Sequence, residues 1–215
     1  MRHSHPIFSM PVGELTKEVA LLLGLHAGDG WISEAWGIVV NSTDTEMAKT
    51  VFSLAQNVLG LEPYTSKTKS TVSIKSGKRQ ARDFFLRYGF TKGHKAGTVA
   101  VPLKVLESND PDIAKWFLRG LFSADGCFAF RKRSARCVLQ VSSRALRDGF
   151  VELASRNDFD FRKYEYIKTT GLNKLPIHIA YMGRRESVCR WMRQVGSISD
   201  AHLRRFSDWK ALVRM

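Results

Sequence analysis

One short segment of the 215-residue chain occurs twice. Leu22-Leu23-Gly24-Leu25-His26-Ala27-Gly28-Asp29-Gly30 is answered by Leu118-Arg119-Gly120-Leu121-Phe122-Ser123-Ala124-Asp125-Gly126, with Leu, Gly, Leu, Asp and Gly at matching offsets 96 residues apart. The likeness continues downstream. Asn41-Ser42-Thr43 resembles Val141-Ser142-Ser143, and Val72-Ser73-Ile74 through Arg87-Tyr88-Gly89 parallels Ile177-His178-Ile179 through Gln194-Val195-Gly196. Self-similarity at a long fixed period marks a chain built from copies of one unit, here two.

Each copy predicts the same order of elements. Leu15, Val19, Leu22, Leu23 and His26 recur at helical spacing over 14–28, and Gly30 ends the run. Alternation over 30–42 with a turn at Glu34–Trp36 predicts a hairpin. A helix from Thr45 to Val58 with Asp44 as N-cap follows, then strands over 62–68 and 70–76 and a helix over 79–88. The second copy predicts helix 111–124, strands 126–132 and 135–142, helix 144–155, strands 159–168 and 174–182, and helix 185–194. Ser108-Asn109-Asp110-Pro111 is turn chemistry opening a helix, so the boundary is expected there. The expectation is an α+β protein of two pseudo-symmetric αββαββα units, 1–108 and 109–215.

Gly24-x-x-x-Gly28 and Gly120-x-x-x-Ala124 put small residues one turn apart on one face of each repeated helix. Glycine inside a helix costs about 0.5–1 kcal/mol relative to alanine. Its recurrence at one offset therefore predicts that Gly24, Gly28, Gly120 and Ala124 line a close helix–helix interface. Asp29 and Asp125 fall at the C-terminal ends of these helices, where a carboxylate faces the negative end of the dipole at a cost of about 0.3–1 kcal/mol. With the helices paired in parallel, the two carboxylates converge. Such a negative locus calls for a hard divalent cation, most simply Mg²⁺ held by carboxylates, backbone carbonyls and water.

Composition narrows the partners. A net charge of +14 favours a polyanion, whether DNA, RNA or an acidic membrane face, and 44% hydrophobic residues exclude a disordered basic tail. Cys127, Cys137 and Cys189 show no C-x-x-C spacing, which disfavours a disulfide framework or a Cys-ligated zinc site. The six histidines are scattered without a metal-binding pattern. The apolar stretch around Val19 to Leu25 is too short to span a bilayer, and no signal peptide is visible. A soluble intracellular protein is expected, in the cytoplasm or nucleoid, or in an organelle of a eukaryotic host.

Both repeated segments resemble the LAGLIDADG motif, and two copies in one chain resemble the monomeric LAGLIDADG homing endonucleases. The resemblance covers nearly the whole chain. The second copy matches closely, whereas His26, Ala27 and Gly28 in the first replace commoner residues. It implies a metal-dependent double-strand break, with Mg²⁺ or Mn²⁺, at a long asymmetric DNA site, leaving a short 3′ overhang. Asp29 and Asp125 would ligate metal with the carbonyls of Gly28 and Ala124. A family lysine near the scissile phosphate corresponds to Lys92 or Lys95, although a solvated surface position suits either equally. The second unit has Ser199-Asp200-Ala201-His202 there, and Arg204 or Arg205 would stand in. Without splicing-type ends, an intron-encoded, free-standing enzyme is expected. An RNA maturase, which would bind RNA, and a non-cleaving DNA-binding regulator are the alternatives.

The strands are expected to read DNA. Cys137, Leu139 and Val141 alternate with Arg136, Val138 and Gln140, and Val72 and Ile74 alternate with Thr71, Ser73 and Lys75. One face suits a core and the other suits bases and phosphates. The candidate contacts are Asn41, Thr43, Lys67, Lys69, Ser73 and Lys75 in the first unit. In the second they are Arg131, Arg133, Arg136, Gln140, Ser143, Arg144, Arg162, Tyr164, Tyr166 and Lys168. The two sheets together are expected to form a saddle for the major groove. Residues 1–109 carry 13 basic and 9 acidic side chains and residues 110–215 carry 21 and 11, so the second unit is expected to hold phosphate more strongly.

Overall fold

The computed structural model describes residues 14–33, 37–68, 71–93, 95–167 and 176–213. The turn expected at Glu34–Trp36, and the candidates Lys69 and Lys168, lie outside the described residues. The first repeat runs α1 (Lys17–Asp29), β1 (Gly30–Ser33), β2 (Gly37–Ser42), α2 (Thr45–Leu59), β3 (Tyr64–Thr68), β4 (Thr71–Ser76) and α3 (Arg79–Arg87). A short α4 (Leu103–Leu106) leads into α5 (Pro111–Asp125), β5 (Gly126–Arg131), β6 (Ser134–Val141), α6 (Arg144–Arg156), β7 (Arg162–Ile167), β8 (Pro176–Met182) and α7 (Arg185–Gln194). A last helix, α8 (Asp200–Val213), follows.

The strands form two antiparallel four-stranded sheets of the same order, β1-β2-β4-β3 and β5-β6-β8-β7. This is the α+β, twice-repeated architecture that the motif spacing implies. Neither α4 nor α8 was anticipated. Phe206 and Trp209 on α8 pack against Phe128 of β5, with ring centroids 5.5 and 6.1 Å away. The Trp209 indole N–H also donates to the Arg133 carbonyl at 3.0 Å. The helix therefore covers the core-facing side of the second sheet.

Helix α1 is buried without interruption from Val19 to Ala27. A helix apolar on all sides has no solvent face and must sit inside the protein. Its neighbour is α5, and the two backbones meet at their glycines. A Cβ on Gly24 would run into the Phe117 carbonyl oxygen and lie 2.8 Å from Leu121 N. One on Gly120 would run into the Leu21 carbonyl and lie 2.9 Å from Leu25 N. One turn later, Gly28 faces Ala124. The glycines are required by backbone approaching backbone, which no side-chain repacking can relieve.

The glycine that follows each aspartate is required by a different crowding. The chain leaves the helix straight into a strand, and a Cβ on Gly30 would sit 2.8 Å from His26 Cα, while one on Gly126 would sit 2.8 Å from Phe122 Cγ. Each strand therefore starts directly above the last helical turn, and the aspartate is pinned at the junction.

Gly24→Ala is expected to destabilise the protein by about 3 kcal/mol, at the upper end of overpacking penalties. Gly77→Ala, with open space around that position, should change stability by less than about 1 kcal/mol. Urea denaturation of the two variants beside the wild type checks this, and equal midpoints would contradict the backbone contact.

Candidate active site

The paired helices end side by side, which brings Asp29 and Asp125 into one partly buried locus. Burial, then the neighbouring Asp125 carboxylate, pushes the Asp29 carboxyl up to about 7, against the opposing pull of Lys95. Asp125 is likewise raised by burial, with Lys95 opposing. The two carboxylates thus favour holding protons, or a cation, over standing ionised together.

Among the described residues, Lys95 brings a basic side chain to this locus. Its Nζ donates to the carbonyl oxygens of His26, Ala27 and Gly28 at 2.5, 2.6 and 2.5 Å. Burial lowers its pKa to about 8, while Asp125 and Asp29 hold it up. Lys92 lies elsewhere: it is exposed and forms a parallel bridge with Ile32 at the end of β1. His26 is packed as part of the core, stacked on Phe85 at 3.9 Å with Phe90 at its edge, and burial keeps it neutral, with Lys95 adding to the effect.

The second half differs. Gly89 and Gly196 both adopt positive φ after α3 and α7, and counting from them places His202 where Lys95 stands. His202 is buried; its Nδ1 lies 2.9 Å from Ser197 Oγ, which lies 3.1 Å from Ser123 Oγ. Burial, followed by the Arg205 charge, lowers its pKa. The expectation that Arg204 or Arg205 replaces the missing lysine is corrected here: both lie exposed on α8, and the matching position belongs to His202. The signal available in the sequence was the Tyr88-Gly89 to Val195-Gly196 alignment, which carries through to position 202.

Reciprocal contacts hold the two flanking loops. Asp44 caps α2 by accepting from Glu46 N and Met47 N, and its other oxygen accepts from Ser199 Oγ at 2.8 Å. Ser143 caps α6 by accepting from Leu146 N, and its hydroxyl donates to the Val99 carbonyl. Each helix cap thus grips the loop that follows the other half's last helix. Ser143 is 1% exposed and engaged in this way, so its assignment to DNA contact is corrected.

Strand register sorts the other candidates. Asn41 pairs with Ser73, whose hydroxyl donates to Asn41 Oδ1 at 2.6 Å, and Ser66 and Lys75 share that helix-free face. Lys67 pairs with Val72, on the same side as buried Ile74, so it is corrected to the edge of the helix-covered face. Thr43 is exposed just beyond β2. On the second sheet Arg131, Arg136, Gln140, Arg162, Tyr164 and Tyr166 share the helix-free face. Gln140 donates to the Tyr166 hydroxyl at 3.3 Å. Arg133 sits in the β5–β6 turn and Arg144 opens α6, both exposed. Sequence reading missed Ile177, Ile179 and Tyr181, which stand among these residues and give the face an apolar centre.

Among the described residues no cluster of three or more His, Cys, Asp or Glu side chains gathers at a potential metal site. The Asp29–Asp125 pair still suits a cation with few protein ligands, such as Mg²⁺, which keeps several waters and takes one or two carboxylates plus phosphate oxygens. Deprotonated, the two partly buried carboxylates would supply the donor set for that chemistry, and the cation's charge would offset the burial and mutual repulsion that otherwise favour their neutral forms.

Residues 112–207 match the LAGLIDADG-like domain. No curated protein matches the chain by sequence. Solved structures show the same fold. Variants of the homing endonuclease I-DmoI superpose with a TM-score of 0.54 over 85% of this chain and 96% of that one, at 14% identity. The homing endonuclease I-WcaI bound to its DNA recognition sequence gives 0.54 over 87% and 83%, at 16% identity. The N-terminal LAGLIDADG domain of DUF199/WhiA gives 0.57 over 87% of each chain, at 12% identity.

The raised Asp29 carboxyl has a consequence for stability. Between the ordinary carboxylate range and about 7 the folded chain binds more protons than the unfolded one, so this contribution falls as pH rises through that window. In EDTA the melting temperature of the wild type should therefore drop between pH 5 and pH 8 more steeply than that of Asp29→Asn. Parallel curves would contradict the raised pKa.

Proposed function

We propose that this chain, which has the LAGLIDADG endonuclease fold, is a site-specific DNA endonuclease that breaks both strands of a long asymmetric target. The observation that carries the reading is the convergence of Asp29 and Asp125, at the ends of two helices fused backbone to backbone. A protein that only bound DNA would gain nothing from bringing two partly buried carboxylates together. We infer further that it is intron-encoded, acts as an intracellular monomer, and uses Mg²⁺ or Mn²⁺.

Asp29, Asp125 and the Ala124 carbonyl would hold the divalent ion. Bound there, it supplies Lewis-acid activation of water and charge stabilisation for in-line displacement at phosphorus. The protein's own groups do the remaining work. Lys95 offsets part of the carboxylate charge, so that a phosphate can approach. Arg131, Arg136 and Arg162 on the second sheet's helix-free face neutralise phosphates, while Gln140, Asn41 and Ser73 offer donors and acceptors to base edges. The two faces carry different side chains, which suits a target whose half-sites differ in sequence.

The fold also occurs in DUF199/WhiA, whose name carries no nuclease activity, so a non-cutting DNA binder is the second reading. Incubating the protein in Mg²⁺ with a plasmid library that includes intron-insertion sites separates the two. Wild type should cut at one site, with Asp29→Asn and Asp125→Asn each slower by at least about 100-fold, the scale of losing a charge-stabilising group. Binding without cutting would favour the second reading.

Register makes a finer forecast for affinity. Arg136→Gln should reduce the slope of log affinity against log salt by about 1. Lys67→Gln, on the opposite side of its sheet, should leave the slope nearly unchanged. Filter binding between low and moderate salt checks this, and equal effects would contradict the assigned faces.

A further inference from the structure

The two helix ends at the acidic centre are neutralised differently. The last carbonyls of any helix lack intrahelical donors and carry the negative end of its dipole. At α1 the carbonyls of Ala27 and Gly28, with that of His26, which also accepts from Gly30 N, are taken up by the Lys95 ammonium, whose three protons match these three acceptors. The backbone fixes this arrangement on both sides of the lysine. Gly93 N donates to the Ile32 carbonyl at 3.1 Å, Thr98 N and Val99 N return to the Lys95 carbonyl at 3.0 Å, and Val99 is gripped by Ser143. At α5 the matching position is His202, which burial keeps in its neutral form and whose Nδ1 lies beside Ser197.

A cation at the first half of the centre would need the Gly28 carbonyl and the Asp29 carboxylate. The Lys95 ammonium already sits on that carbonyl at 2.5 Å, and its charge acts on the neighbouring carboxylate. We propose that Lys95 is a built-in counter-ion standing where a first divalent ion would bind, so that the chain holds one divalent ion, on the α5 side, and not two. This rests on the reading of Asp29 and Asp125 as metal-holding carboxylates. The ammonium spends its protons on α1, so it acts as a positioning residue and does not itself contact the scissile phosphate in this arrangement.

Mn²⁺ titration of the whole chain at neutral pH, followed by electron paramagnetic resonance of the free ion, counts the sites without any cleavage. The expected result is one Mn²⁺ per wild-type chain, two per Lys95→Met chain, and one per Lys95→Arg chain. Circular dichroism verifies the fold of each variant. If Lys95→Met does not fold, Lys95→Gln, uncharged but still a donor, takes its place with the same expected count of two. Two ions on the wild type, or one on both the wild type and the uncharged variant, would overturn the proposal. Either result, with site-specific cutting intact, leaves the nuclease reading standing. No Mn²⁺ bound at all overturns the proposal, and loss of cutting in the plasmid assay would separately overturn the nuclease reading.

Discussion

The backbone contact between α1 and α5 is the constraint from which the rest of the structure follows. Two helices that touch at Gly24 and Gly120 cannot slide or splay, because carbonyl oxygens and amide nitrogens occupy the space that side chains would need. Their last turns therefore arrive together, and the strand that follows each is fixed by the crowding at Gly30 and Gly126. Both carboxylates and the first strands of both sheets inherit their positions from this one crossing. The surrounding core, from Leu22 and Leu25 to Phe117 and Leu121, packs around it.

Placing two carboxylates at two helix C-termini is electrostatically adverse, and the adversity explains several features together. Carboxyl groups pushed up by burial and by each other describe a centre poised to take up positive charge. The chain supplies one such charge itself, through Lys95. An excess of basic residues elsewhere, and the arginines on the second sheet, let a polyanion approach a locus that would otherwise repel it. The halves have the same strand order but chemically different loops after α3 and α7. A duplicated fold can thus keep its scaffold symmetric while its two helix ends take on separate tasks.

Much of this was legible in the chain itself. The repeated Leu-x-Gly-Leu-x-x-x-Asp-Gly run located the helix pair, the aspartates and the duplication, because any side chain at the glycine positions would crowd neighbouring atoms. Asp44 read as a helix cap because its side chain does that work locally. What the sequence hid was set by long-range partners. Ser143 looks like any exposed hydroxyl beside a strand until Val99 meets it across the two halves. Lys67 alternates with the same period whichever face is buried, and only its pairing with Val72 decides the side. Helix α8 was missed because its apolar residues Phe206 and Trp209 become meaningful only against Phe128. The roles of Lys92 and Lys95 could not be separated by spacing, since a loop fixed by Ser143 and Ile32 chooses between them.

We propose that the two helix ends hold a divalent ion between Asp29 and Asp125. Anomalous diffraction from crystals of the chain soaked in Mn²⁺ would locate it. One strong peak is expected within ligand distance of both carboxylates, with the Lys95 Nζ still on the α1 carbonyls. A centre free of manganese, while other carboxylates on the surface carry it, would rule that ion out.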